Sequence, residues 1–180
     1  MITSAIHSGV ASDENSLELG PDLPMAVFTS TEPWHQERIG ALALYCSDGR
    51  WGEAFDEFCH KCLQIPRYDR WAVPGGPAWL AASEGSRVFA HAAREQLDFL
   101  VGVHELERIV LITHYGCAAY GERLRQSAAE CLTTQIEDLQ TAAEALRDWH
   151  PGMRVEGYVA MRRGRALSFH EMGVWGERIR

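Results

Sequence analysis

Lysine is nearly missing from this chain of 180 residues: among its 17 basic side chains only Lys61 is lysine, and the rest are arginine. A bias toward arginine codons accounts for that, and no phosphate-binding role follows from it. Positive charge is in the minority as well, for the formal net charge is −8. That balance speaks against nucleic acid or an anionic membrane as a partner. No apolar run approaches the ~20 residues that cross a bilayer. The first basic residue is Arg38, so the basic start and apolar centre of a secretory signal are missing, and a cytoplasmic location is expected. Cysteines number five; an odd count without a signal segment argues against a disulfide framework. In a reducing compartment those thiols are free for metal or redox chemistry. There is no internal repeat and no low-complexity tract.

With 46% hydrophobic residues, the chain is long enough for one well-buried domain. Residues 1–30 read as a flexible or partner-contacting arm, rich at first in Ser, Gly, Asp and Glu. Residues 31–180 read as a single α/β domain. Ile39–Tyr45 and Ile109–Thr113 are compact apolar runs, the pattern of strands buried in a parallel sheet. Gly52–Leu63 has helical spacing, with Ala54, Phe55, Phe58 and Cys62 on one side. A strand is predicted over Tyr68–Val73, stopped by Pro74-Gly75-Gly76-Pro77. Arg87–Val101 reads as an amphipathic helix, Val88, Ala92, Leu97 and Leu100 inward, with Gly102 as its stop. Ala118–Trp149 is helical throughout, with a break near Cys131–Thr134. Val155–Met161 and Ala166–Glu171 form a predicted hairpin.

The chemistry sits where the two apolar runs end. Cys46-Ser47-Asp48-Gly49-Arg50 follows the first and His114-Tyr115-Gly116-Cys117 follows the second. Open α/β sheets bind ligands at the carboxyl ends of their strands. Two thiols and an imidazole converging there make a three-ligand zinc site with an open fourth position, which marks catalytic zinc. Cys59-His60-Lys61-Cys62 is the rival centre, with spacing that suits a redox pair or half a structural zinc site. It lies inside a helical pattern rather than at the strand-to-helix junction of a redox motif, so core packing is the better reading. Gly75-Gly76 lacks the Lys and Ser/Thr of a phosphate loop and reads as a tight turn near the site. The remaining histidines show no metal-ligand spacing. The six tryptophans are too scattered to form a stacking platform and read as core or subunit interface.

Cys-x-Asp-x-Arg at one strand end, followed by His-x-x-Cys at another, resembles the β-class carbonic anhydrases. The similarity spans residues 39–172 and includes the helix before the second motif and the closing hairpin around Gly157-Tyr158-Val159 and Gly164-Arg165-Ala166-Leu167. The resemblance implies a central, mainly parallel sheet flanked by helices and a homodimer or higher homo-oligomer. It places zinc on Cys46, His114 and Cys117 and an Asp–Arg dyad on Asp48 and Arg50. The implied reaction is reversible hydration of carbon dioxide to bicarbonate by a zinc-bound hydroxide that the dyad orients. Two thiolates already cancel the metal's charge, so a nearby carboxylate held ionised by arginine complements such a site. Departures from the family pattern are Gly49 in place of serine, Ala118 in place of glycine, and Val73-Pro74-Gly75-Gly76-Pro77 in place of Arg-Asn-Ala-Gly-Asn. Gln36 stands in the region of a family substrate-binding glutamine but lacks the proline that accompanies it. These changes leave room for a carbonyl sulfide or carbon disulfide hydrolase on the same site, or a non-catalytic zinc-binding relative.

Overall fold

The computed structural model describes residues 24–37, 39–81 and 87–176, with backbone alone at Arg87 and Val88. The first 23 positions of the expected arm lie outside the described residues. Residues 24–36 belong to a unit of their own. They contain no helix or strand, and Met25, Val27, Phe28 and Trp34 are exposed.

The second unit is built on a five-stranded sheet. Its elements in chain order are β1 (Ala41–Cys46), α1 (Gly52–Glu57), β2 (Asp69–Val73), α2 (Arg87–His104), β3 (Arg108–His114), α3 (Ala118–Leu124), α4 (Ala128–Trp149), β4 (Arg154–Arg163) and β5 (Ala166–Trp175). A π-helical turn, Phe58–Cys62, prolongs α1, and a 3₁₀ turn, Gly76–Trp79, follows β2. Strand order is β2-β1-β3-β4-β5. The first three pairings are parallel and only β4–β5 is antiparallel, as the resemblance implies.

The side-chain alternation of buried strands divides the core. Leu42, Leu44, Ile109, Leu111 and Val155 face one way and pack with Leu97 of α2 and Leu139, Ala142 and Leu146 of α4. Ala41, Ala43, Tyr45, Val110, Ile112 and Tyr158 face the other way, against Trp51, Phe55 and Phe58. Both faces of β1 and β3 are covered, which is why those runs are apolar at every position rather than at every second one. Gly157 lets α4 lie close on β4: a Cβ there would stand 2.6 Å from Leu139 Cδ2.

Three local expectations need correction. The long helical stretch does not break near Cys131–Thr134 but at residues 125–127. Arg125 caps α3 in a left-handed conformation, and Ser127 starts α4 with a capping box to Glu130. Both groups of that box satisfy amides which the helix itself leaves unpaired. Helix α2 runs through Gly102 to His104, and the chain turns at Glu105 with φ 53°. A mid-helix glycine costs only about 1 kcal/mol, less than the anchoring supplied by buried Leu97 on that helix. Finally, Ala92 is exposed, and Ala90 and Ala93 are buried in its place.

Candidate metal centre

Cys46 is the last residue of β1, and His114 the last of β3. The two strands pair in parallel, so their ends lie side by side at one edge of the sheet. Cys117 follows a sharp turn at Gly116, φ 73°, and occupies the N-cap position of α3. All three are buried, and one ligand-type atom from each lies within 4.8 Å of the others. Three of the five residues singled out from sequence are thus brought together as a group able to hold a metal ion.

The surroundings prepare these atoms for a cation. Cys46 Sγ and Cys117 Sγ are 3.7 Å apart, and both cysteines are free. The Cys46 thiol is pushed down to about 4, chiefly by the hydrogen bond from Cys117, with help from the amides of Gly75 and Asp48. Cys117 is pushed up, chiefly because its protonated thiol donates the hydrogen bond to Cys46, then by burial, and a second negative charge beside Cys46 would add to the cost. The amides of Ala119 and Tyr120, in the first turn of α3, face that sulfur and oppose the rise. A cation between the sulfurs removes the conflict, since metal coordination deprotonates a thiol outright.

His114 supplies the decisive detail. Its Nδ1 lies 3.1 Å from the Tyr115 carbonyl, an acceptor only, so Nδ1 carries the proton and donates. Nε2 then presents a lone pair, and it is a buried nitrogen without a hydrogen-bond partner. An orphaned buried acceptor is costly, and a metal ion on Nε2 would satisfy it. A metal-ligating histidine characteristically donates its other ring nitrogen to a carbonyl in this way. The Trp51 ring lies 4.9 Å from the imidazole and shields it from solvent.

The two remaining residues form a pair beside this group. Arg50 donates from Nε to Asp48 Oδ1 at 2.9 Å and from Nη2 to Oδ2 at 2.5 Å, and the Arg50 amide donates to Oδ1 at 3.1 Å. The Arg50 hydrogen bonds hold the Asp48 carboxyl down at about 2. Asp48 is mostly covered while Arg50 is three-quarters exposed. Asp48 is not one of the clustered ligand atoms; its oxygens are turned to the guanidinium.

Several supports were not foreseen. Buried Gln135 of α4 donates from Nε2 to the His114 carbonyl at 2.9 Å; a glutamine on the apolar stripe between Cys131 and Leu139 is the signal that marks it. Tyr120 and Arg123 of α3 both donate to Asp138 Oδ2 of α4 at 2.8 Å, which fixes the helix carrying Cys117. Gly76 has φ 53°, and a Cβ on it would stand 2.9 Å from the Cys46 amide nitrogen. The Gly-Gly turn is thus pressed against the end of β1. Of the rival pair, Cys59 is buried in the core, but Cys62, expected on the packed side with Phe55 and Phe58, is exposed, because the wider π-helical turn carries it off that face. Gln36 is exposed in the separate 24–36 segment.

Residues 36–166 match the sequence profile of a family described as "Putative carbonic anhydrase". The chain belongs to this family. Among solved structures it is similar to β-carbonic anhydrase isoform I of Trichomonas vaginalis, with 12% identity over 78% of this chain and 87% of that one and a TM-score of 0.43. It is also similar to one of two tetrameric β-carbonic anhydrases of Sordaria macrospora, with 13% identity, 76% and 82% coverage and a TM-score of 0.45. A third is the β-carbonic anhydrase CafA of Aspergillus fumigatus, at 15% identity, 74% and 76% coverage and a TM-score of 0.40. No curated protein matches the sequence significantly. A carbonic-anhydrase-like chain with a Cys-His-Cys group able to hold a metal is what these findings give. Among the described residues no helix is long and apolar enough to cross a membrane.

Proposed function

We propose that the protein is a zinc enzyme that hydrates carbon dioxide reversibly, with Cys46, His114 and Cys117 as the metal ligands. The observation that carries this reading is the buried, unpartnered Nε2 of His114 set within reach of two buried thiols. Two sulfurs and one imidazole suit zinc, and three protein ligands are the number that catalytic zinc sites use. Bound zinc supplies Lewis acidity that brings the ionisation of water toward neutral pH.

The chain's own residues do the rest. Asp48, ionised through its pairing with Arg50, can only accept hydrogen bonds. It accepts one from the attacking oxygen and so fixes which lone pair faces the carbon. Arg50 keeps that carboxylate charged and turned away from the ligand group. Trp51 and Phe55 pack around the imidazole and limit water on that side. A non-catalytic relative, closed by Asp48 on the metal, is disfavoured by the orientation of Asp48 toward Arg50.

The test is stopped-flow hydration of carbon dioxide by protein of measured zinc content, from about pH 6.5 to 9 to bracket the titration of water on zinc. Activity should rise with pH and collapse in Asp48→Ala. Full zinc occupancy without turnover would reject this reading and favour sulfur analogues of the substrate or a binding role.

A further inference from the structure

A cavity of about 500 Å³ opens beside the metal centre, lined among others by Arg50, Trp51, Tyr115, Arg162, Arg165 and Leu167. Trp51 touches the imidazole of His114, and Tyr115 lies between two of the proposed ligands, so this space adjoins the chemistry. Its size does not suit the small reactant. Carbon dioxide and bicarbonate displace on the order of one or two waters, at about 30 Å³ each, whereas organic ligands occupy cavities of about 300–1,000 Å³.

The charge of the lining is as unexpected as its volume. The chain carries a net −8, and most arginines near carboxylates are paired. Arg108 and Arg154 share Glu156, Arg123 holds Asp138, and Arg70 holds Asp56. Among the described residues no carboxylate pairs with Arg162 or Arg165. The last hairpin pair is Arg163 with Ala166, so Arg162 stands near the end of a rigid strand and Arg165 in the two-residue turn that follows it. Across the cavity stands Ala128, the first residue of the 22-residue α4. Glu130, two residues further along α4, is engaged by the amide and hydroxyl of Ser127. Unpaired arginine forks on one wall, with exposed Leu167 providing apolar surface, are the chemistry that recognises an oxyanion on a carbon chain.

We propose that this cavity is a binding site for a small organic anion of several carbons, its carboxylate or phosphate held by Arg162 and Arg165. The ligand is larger than bicarbonate, and its uncharged part lies along Leu167. The site stands as a binding site whether or not carbon dioxide is turned over.

The experiment is calorimetric titration of the full-length zinc-loaded protein with bicarbonate, succinate and glycerol 3-phosphate at constant ionic strength, with carbon dioxide hydration assayed on the same samples. Succinate or glycerol 3-phosphate should bind more tightly than bicarbonate, and which of the two does so names the anion. Arg162→Gln/Arg165→Gln should weaken that binding about tenfold or more, the loss expected for charge-assisted hydrogen bonds. Arg163→Gln removes a charge from the same turn but not from this cavity, and should change binding less than about twofold. Carbon dioxide hydration, where present, should survive in the double variant. Bicarbonate binding as well as either organic anion overturns the proposal. So does equal weakening by Arg163→Gln, which would mean a diffuse field, or an unchanged double variant. Absence of hydration with anion binding intact rejects the carbonic anhydrase reading and leaves this site supported.

Discussion

The chain holds two pairs of thiols, and they teach opposite lessons about proximity. Cys59 and Cys62 are three positions apart, yet the π-helical turn puts one in the core and the other in solvent. Burial pushes the Cys59 thiol up to about 11, so it stays protonated and inert. Cys46 and Cys117 are separated by 71 positions, yet their sulfurs are 3.7 Å apart. There Cys117 donates to Cys46 and the amides of Gly75 and Asp48, just past two strand ends, add to it, so Cys46 is held as a thiolate. Thiol chemistry in this fold follows from where strands end, since reactivity depends on the thiolate being stabilised, and sequence spacing alone does not supply that.

The largest expected effect breaks this contrast directly. Cys117→Ser or His114→Ala should reduce zinc from about one per chain to near zero, because binding needs all three donors at neutral pH. Cys62→Ser should leave zinc content unchanged. Atomic absorption on desalted protein measures both, and a fall in the Cys62 variant would restore the rival centre. A smaller loss is expected for Asp48→Asn, which keeps the shape and removes the charge. Carbon dioxide hydration should drop about a hundredfold or more with zinc retained, separating the ligand group from the carboxylate that serves it.

Much of this contrast was legible in sequence, for a physical reason. Strands buried on both faces must be apolar throughout, so Ile39–Tyr45 and Ile109–Thr113 stood out, and their ends located Cys46 and His114. The supports were less legible because they arise from packing between distant segments. Nothing local ties Gln135 to the His114 carbonyl, or Asp138 to Tyr120, until α4 lies on β3 and α3. Ser127-x-x-Glu130, by contrast, was a readable helix start, overlooked because helix-forming residues continue on both sides of it. Val73–Pro77, in place of Arg-Asn-Ala-Gly-Asn, reads in sequence as a departure from the family pattern, with a tight turn at Gly75-Gly76. In the structure its second glycine is the residue that lets the turn press on Cys46.

That turn gives an intermediate effect. Gly76→Ala meets both a left-handed backbone and a contact of 2.9 Å with the Cys46 amide, and strain of this kind costs about 1–3 kcal/mol. The variant should unfold at lower urea and bind zinc more weakly. Gly49→Ala, with nothing within 4 Å of the added carbon, should change neither. Equal behaviour of the two variants would show that the turn does not shape the site. The thiol pairs themselves can be compared by mass spectrometry after brief alkylation. Cys62 should label in the native protein, and Cys59 only once it unfolds.

The smallest effect concerns acid. Asp48 is held near 2, principally by hydrogen bonds from Arg50, against about 3.9 for a free aspartate. A carboxyl whose folded value is depressed contributes stability that is fully present above the unfolded value and is lost as pH falls through the folded one. The window therefore runs from about pH 4 down to 2. Arg50 is three-quarters exposed, so solvent screening keeps the contribution small. Urea unfolding of zinc-free protein should show wild type slightly more stable than Arg50→Gln above pH 4, with the margin shrinking toward pH 2. A margin that stayed constant down to pH 2 would mean that Arg50 stabilises the fold through packing or another partner, and that Asp48 owes its ionised state to something else.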